Sequence, residues 1–222
     1  MDQTPITDVH NETVLNMIPK QSKKLIEIGC GSGALAREFK KINPTCHYTG
    51  LDIVQSYTQV AKKNCDEVIF ADIEKINDFF YIANKDCDCW IFADSLEHLI
   101  DPWEILKKIR QVIPANGSIV ACIPNAQNWR VVANLLLGNF RYQEMGLLDK
   151  THLRWFTRQT IIELFESANF KIESMSIRTI EDRNNIPLLP LIGNIAKFLG
   201  ADSEMVINDS VPFQYVVHAI PK

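Results

Sequence analysis

Lys24-Leu25-Ile26-Glu27-Ile28-Gly29-Cys30-Gly31-Ser32-Gly33-Ala34-Leu35 is the stretch whose reading decides the fold. Leu25, Ile26 and Ile28 predict a short buried strand, and Ala34 to Lys40 predicts the helix that follows it. Between them lies a loop with glycine at alternate positions. Such a loop accepts positive φ values and has no Cβ to hold a ligand away from the backbone. It also delivers that ligand to the first amides of a helix, which lack intrahelical partners. A strand, a glycine-rich turn and a helix early in a chain form the nucleotide-binding opening of a doubly wound sheet.

Spacing alone leaves the nucleotide open, since Gly29, Gly31 and Ala34 also fit the looser dinucleotide pattern G-x-G-x-x-G/A. Glu27 shifts the balance. A carboxylate two residues before the first glycine would repel a pyrophosphate but suits a ligand carrying an ammonium group. The stretch resembles the first motif, E/D-x-G-x-G-x-G, of the class I S-adenosylmethionine-dependent methyltransferases. That resemblance implies an α/β, Rossmann-like doubly wound fold with a mostly parallel seven-stranded sheet and an antiparallel C-terminal strand. It also implies S-adenosylmethionine as cofactor, held by Glu27, Gly29, Gly31 and Gly33.

The chain has 222 residues, 46% hydrophobic and 23% charged, which fits a single domain (1–222) with a full core. A net charge of −4 argues against broad electrostatic binding to DNA. Cys30, Cys46, Cys65, Cys87, Cys89 and Cys122 show no repeated spacing, and Cys87-Asp88-Cys89 is too short for a structural zinc site. Free thiols in a reducing compartment are expected. Met1-Asp2-Gln3-Thr4-Pro5 has neither the basic flank nor the apolar core of a signal peptide. No apolar run approaches the roughly 20 residues that cross a bilayer, so a soluble, cytoplasmic protein is expected, monomeric or homodimeric.

Val14, Leu15 and Ile18 predict a short helix over residues 10–18 at the edge of the site. His47 to Asp52 reads as a second strand ending in an acid, about where a carboxylate accepts ribose hydroxyls. Val68 to Glu74 reads as a third strand with an acidic exit. By the resemblance Asp72 accepts the adenine amino group, and Ile53 and Ile73 flank the cofactor. Cys89 to Ala93 is the continuous apolar run of a central strand buried on both faces. Asp101-Pro102-Trp103-Glu104 opens the next helix with an N-cap, a proline at the first position and a capping-box glutamate. Ser118 to Ile123 is a fifth strand.

Residues 126–157 are expected to be an inserted helical lid. Their apolar density and their arginines, Arg141 and Arg154 first, suit a cover over an acceptor pocket that grips an anionic group. Thr160 to Ala168 predicts a helix ended by Asn169, and Lys171 to Ile180 a strand. Residues 185–200 read as a second, irregular apolar excursion. Phe213 to Ile220 closes the chain as a strand antiparallel to its neighbour.

Asp94, Glu97 and His98 are spaced i, i+3 and i+4, so one helical turn after the fourth strand would place them on one face. This stretch resembles the E-x-x-E-H element of quinone-biosynthesis O-methyltransferases and small-RNA 2′-O-methyltransferases. The resemblance implies a metal such as Mg²⁺ or Mn²⁺ on Asp94, Glu97, His98 and His152. The metal-free alternative makes His152 or His98 the general base, with Asp94 beside them. Gly146 to Thr157 resembles small methyltransferases associated with glycosyltransferases in surface-polysaccharide synthesis. The expected activity is methyl transfer to a hydroxyl of a sugar or another small polar acceptor. A phenolic quinone precursor and an RNA 3′ end are alternative acceptors. From other classes come a non-catalytic cofactor-binding module, disfavoured by Glu97, His98 and His152, and a nicotinamide-dependent oxidoreductase, disfavoured by Glu27 and Asp72.

Overall fold

The computed structural model describes residues 4–222, so the reading of Met1-Asp2-Gln3 lies outside the described residues. Its centre is a seven-stranded sheet in the order β3-β2-β1-β4-β5-β7-β6. β1 (Lys24–Ile28), β2 (His47–Asp52), β3 (Glu67–Phe70), β4 (Cys89–Ala93) and β5 (Ser118–Pro124) pair in parallel. β7 (Gln214–Pro221) inserts antiparallel between β5 and β6 (Phe170–Arg178).

Side chains along the central strands alternate between two cores, as a period of two requires. Ile26, Trp90, Phe92, Ile119, Ala121 and Tyr215 pack into one layer, while Leu25, Cys89, Ile91, Val120, Cys122 and Val216 pack into the other. The first layer is covered by α4 (Asp78–Ala83), α5 (Pro102–Val112) and α7 (Arg158–Ser167). The second is covered by α1 (Glu12–Met17) and α2 (Ala34–Ile42), and α3 (Gln55–Ala61) packs against β2 and β3. All six cysteines are free thiols.

Three expectations need correction. β3 stops at Phe70, so Asp72 lies on the turn beyond it rather than at the strand's end. The amide of Asp101 donates to Glu74 Oε1 (2.7 Å), not to Glu104, so the capping carboxylate comes from the loop after β3. Residues 185–200 are not irregular: α8 (Leu189–Phe198) packs against α9 (Ser203–Ser210) as a helical hairpin. Asn169 does end α7, in the left-handed region at φ +67°.

Only α6 (Trp129–Leu136) is helical within 126–157; the rest is loop. Val131, Leu147 and Leu148 seat this segment on Phe213. Asn125 and Asn128 anchor its base through Nδ2 bonds to the Pro212 carbonyl (2.9 and 3.0 Å). Leu135, Leu136 and Leu137 are exposed, so part of the apolar density faces solvent.

Candidate functional site

The C-terminal ends of β1, β2 and β4 open into one cavity of about 850 Å³. Glu27, Gly29, Gly31, Asp52, Ile53, Asp72 and Ile73 line one half. Asp94, Glu97, His98, Asp149, His152 and Gln214 line the other.

The glycine loop takes the shape its composition allows. Gly29, Gly31 and Gly33 have φ of +77°, +53° and +72°; Gly33, expected to hold the cofactor, does not line the cavity but is the N-cap of α2, facing Ala61, Asn64 and Cys65. A Cβ on Gly29 would sit 3.0 Å from the Ser95 Cβ, so this backbone can cross the β4 loop only without a side chain. Asp52 holds the loop: its Oδ2 accepts from the Gly31 amide (2.8 Å) and its Oδ1 from the Val54 amide (2.8 Å).

Glu27 is 3% exposed, and the Tyr48 hydroxyl donates to its Oε2 at 3.0 Å. Burial pushes its carboxyl up to about 8, against that bond and with Asp52 adding to the rise. A buried acid with no cation beside it among the described residues, next to a cradle of positive-φ glycines, fits a ligand that brings its own ammonium. Asp72 accepts from the Glu74 amide and pairs with Lys75 Nζ at 3.0 Å.

Residues 4–11 form a strap across this half that the sequence did not signal. Tyr57 donates to the Thr4 carbonyl (3.0 Å) and Ser32 to the Thr7 carbonyl (2.9 Å). Asn11 ends the strap by capping α1.

In the other half the expected helical turn does not form as such. Asp94 lies at φ +58° and precedes a 3₁₀ turn, Leu96–His98, so it does not share a helical face with Glu97 and His98. Its carboxylate instead accepts from Gln214 at the start of β7, which in turn accepts from Arg178. The insertion reaches the 3₁₀ turn through the backbone. Leu153 and Arg154 amides both donate to the Glu97 carbonyl (2.8 and 3.0 Å) and so bring His152 beside it.

One ligand atom each from Glu97, His98 and His152 lies within 4.8 Å of the others, and Asp94 is not part of this group. His152 Nε2 is 3.9 Å from Glu97 Oε1, and the two imidazoles meet edge to face at 4.8 Å between centroids. Both Glu97 oxygens lack a hydrogen-bond partner among the described residues. Burial drives the Glu97 carboxyl well above its ordinary range, and the neighbouring Asp94 adds to this. Burial and then His98 push His152 down to about 4, and burial also lowers His98, so both imidazoles are neutral at pH 7.

The expected anion-binding arginines are placed otherwise. Arg154 donates to the Ile100 carbonyl and lies over the Trp103 ring, and Arg141 does not line the cavity. Arg178, Lys150 and Lys75 are the cations that do. Arg178 and Gln214 carried no sequence signal, because the insertion of β7 between β5 and β6 is what brings them there.

A family model described as a methyltransferase domain matches residues 5–175. No curated protein matches the chain. Among solved structures it is similar to the magnesium protoporphyrin IX methyltransferase of Synechocystis with bound SAH, at 10% identity and a TM-score of 0.63. That match covers 95% of this chain and 81% of the other. It is similar to a plantazolicin methyltransferase in complex with SAH, at 18% identity and a TM-score of 0.58, covering 95% and 80%. The mitomycin 7-O-methyltransferase gives 13% identity and a TM-score of 0.57, with 95% of this chain covering 53% of that one. The chain thus spans about half the length of that last protein. At these identities the likeness is one of fold. No helix of the described residues is long and apolar enough to cross a membrane.

Proposed function

Because this chain belongs to the methyltransferase-domain family, we propose that it moves a methyl group from S-adenosylmethionine to a hydroxyl of a sugar or another small polar acceptor. The observation that carries this reading is Glu27, a buried acid without a cation among the described residues, opening into the same cavity as the histidine pair. Bound there, S-adenosylmethionine supplies an electrophilic methyl on a sulfonium.

The chain's own residues do the rest. Glu27 receives the ammonium of the methionine tail. Gly29 and Gly31 let the ligand approach the backbone. Asp52, beside Ile53, receives the ribose, and Asp72, beside Ile73, the adenine. His98 takes the acceptor proton, being neutral and less buried than His152. Residues 126–157 wall the acceptor half and exclude water, so that orientation lowers the barrier. Arg178, which lines the acceptor half, favours an acceptor with an anionic group, whereas Lys75 and Lys150 are paired with Asp72 and Glu144.

A second reading has one specific observation in its favour. The converging Glu97, His98 and His152 would suit a divalent ion such as Mg²⁺ or Mn²⁺ that lowers the hydroxyl's pKa. The test is calorimetry with S-adenosylmethionine and SAH, followed by mass-spectrometric detection of methyl transfer to nucleotide sugars, lipid-linked saccharides, phenols and RNA ends. No response to either cofactor would end the methyltransferase reading.

A further inference from the structure

His98 Nδ1 lies 3.2 Å from the Thr151 carbonyl oxygen and 3.0 Å from the Thr151 hydroxyl. A carbonyl only accepts, so Nδ1 must carry the proton. The hydroxyl points the same way. It lies 2.7 Å from Asp149 Oδ1 and spends its single hydrogen on that carboxylate, which leaves a lone pair for His98. Asp149 is 1% exposed. Its Oδ1 also accepts from the Thr151 amide at 2.8 Å, so this oxygen is fixed as an acceptor by two donors of one residue. Its Oδ2 accepts from Thr4 of the strap at 2.8 Å, so every acceptor direction used in the relay is accounted for.

We propose that Asp149 and Thr151 are positioning residues: through an Asp149–Thr151–His98 relay they hold His98 as its Nδ1–H tautomer and present the Nε2 lone pair to the acceptor half of the cavity. The catalytic meaning rests on His98 being the base of the proposed methyl transfer. The tautomer itself does not. The logic is that of an acid orienting a histidine base, with a threonine hydroxyl interposed. Because Thr4 closes the other side of Asp149, the strap that crosses the cofactor half and the base of the acceptor half share one carboxylate.

The test is long-range ¹H–¹⁵N correlation of the imidazoles at pH 7.5, with His98 assigned by comparison with His98→Gln. The wild-type protein should show Nδ1 protonated. Thr151→Val removes the shorter of the two acceptors, so the tautomer ratio should move about tenfold toward Nε2–H. Thr151→Ser should restore the wild-type spectrum. Folding of each variant is checked by the dispersion of its amide spectrum. A wild-type His98 protonated at Nε2, or a Thr151→Val spectrum identical to wild type, would overturn the relay. Calorimetry with SAH on the same samples keeps the outcomes apart, since absent SAH binding removes the methyltransferase reading and leaves the tautomer result standing.

Discussion

Replacing Glu27 with Gln separates what this residue does for a ligand from what it costs the fold. The unfolded chain ionises the group near 4.5 and the folded chain near 8, so the folded state keeps an extra proton between those values. Stability from Glu27 is therefore full below about 4.5, falls as pH rises, and reaches its floor above about 8. At about 1.4 kcal/mol per pH unit crossed, the wild-type protein has lost about 3 kcal/mol by pH 7. The Glu27→Gln protein escapes that loss, and its amide oxygen can still accept from Tyr48. Ligand-free, it should melt about 6–12 °C higher than wild type at pH 7 and at the same temperature at pH 4.5. Its affinity for SAH should fall roughly 10- to 100-fold, the value of a charge-assisted bond to an ammonium. Wild-type binding at pH 7 should release a proton, visible as a dependence of the calorimetric heat on the buffer's ionisation enthalpy. That dependence should vanish in Glu27→Gln. Equal melting temperatures at pH 7 would refute the cost to the fold, and an unchanged SAH affinity would refute the contact with the ligand.

Gly31→Val puts a β-branched residue at φ +53° and should cost about 1–2 kcal/mol of stability. It should also weaken SAH binding more than tenfold by calorimetry, and a twofold change or less would count against the cradle. With an acceptor in hand, His98→Ala should lower the rate at saturating cofactor by about 10²-fold or more, whereas chelation should leave the wild-type rate unchanged. Loss of activity on chelation, restored by Mg²⁺ or Mn²⁺, would select the metal reading instead. Hydrogen exchange should show residues 129–153 opening more readily than β4 and β5 without ligand, and protection equal to those strands would contradict a lid.

Much of the fold was legible because its signals are local. The glycine loop, the apolar runs of β1, β2, β4 and β5 and the Asp101-Pro102 helix start depend on a few neighbouring residues and stand where they were expected, whereas β3 ends earlier, at Phe70. α8 was not legible. Pro187, Pro190, Gly193 and Gly200 break any helical rhythm, and the segment is stabilised by packing against Ile207 of α9 and against Trp129 and Val132 from a distant part of the chain. The Glu74 cap on Asp101 is equally invisible, because a closer glutamate satisfies the local pattern. In the site, Glu27 and Asp52 could be anticipated from strand ends. The relay could not, since Thr151 and Asp149 matter only once the Leu153 and Arg154 amides have docked on Glu97.

The position of β7 has a consequence for how the molecule is made. β7 follows β6 in the chain, yet in the sheet it lies between β5 and β6. Until residues 214–221 emerge, β5 ends the parallel half with an open edge, and β6 has nothing in that half to pair with. Unpaired edges of this kind are templates for aggregation and substrates for chaperones. A chain stalled before Gln214 would lack both the strand that joins its two halves and the side chain that holds Asp94. Pairing of β5 with β6 through β7 and the hold on Asp94 thus arrive with the same eight residues, so a product interrupted before them has an open sheet edge and a loosened acceptor half.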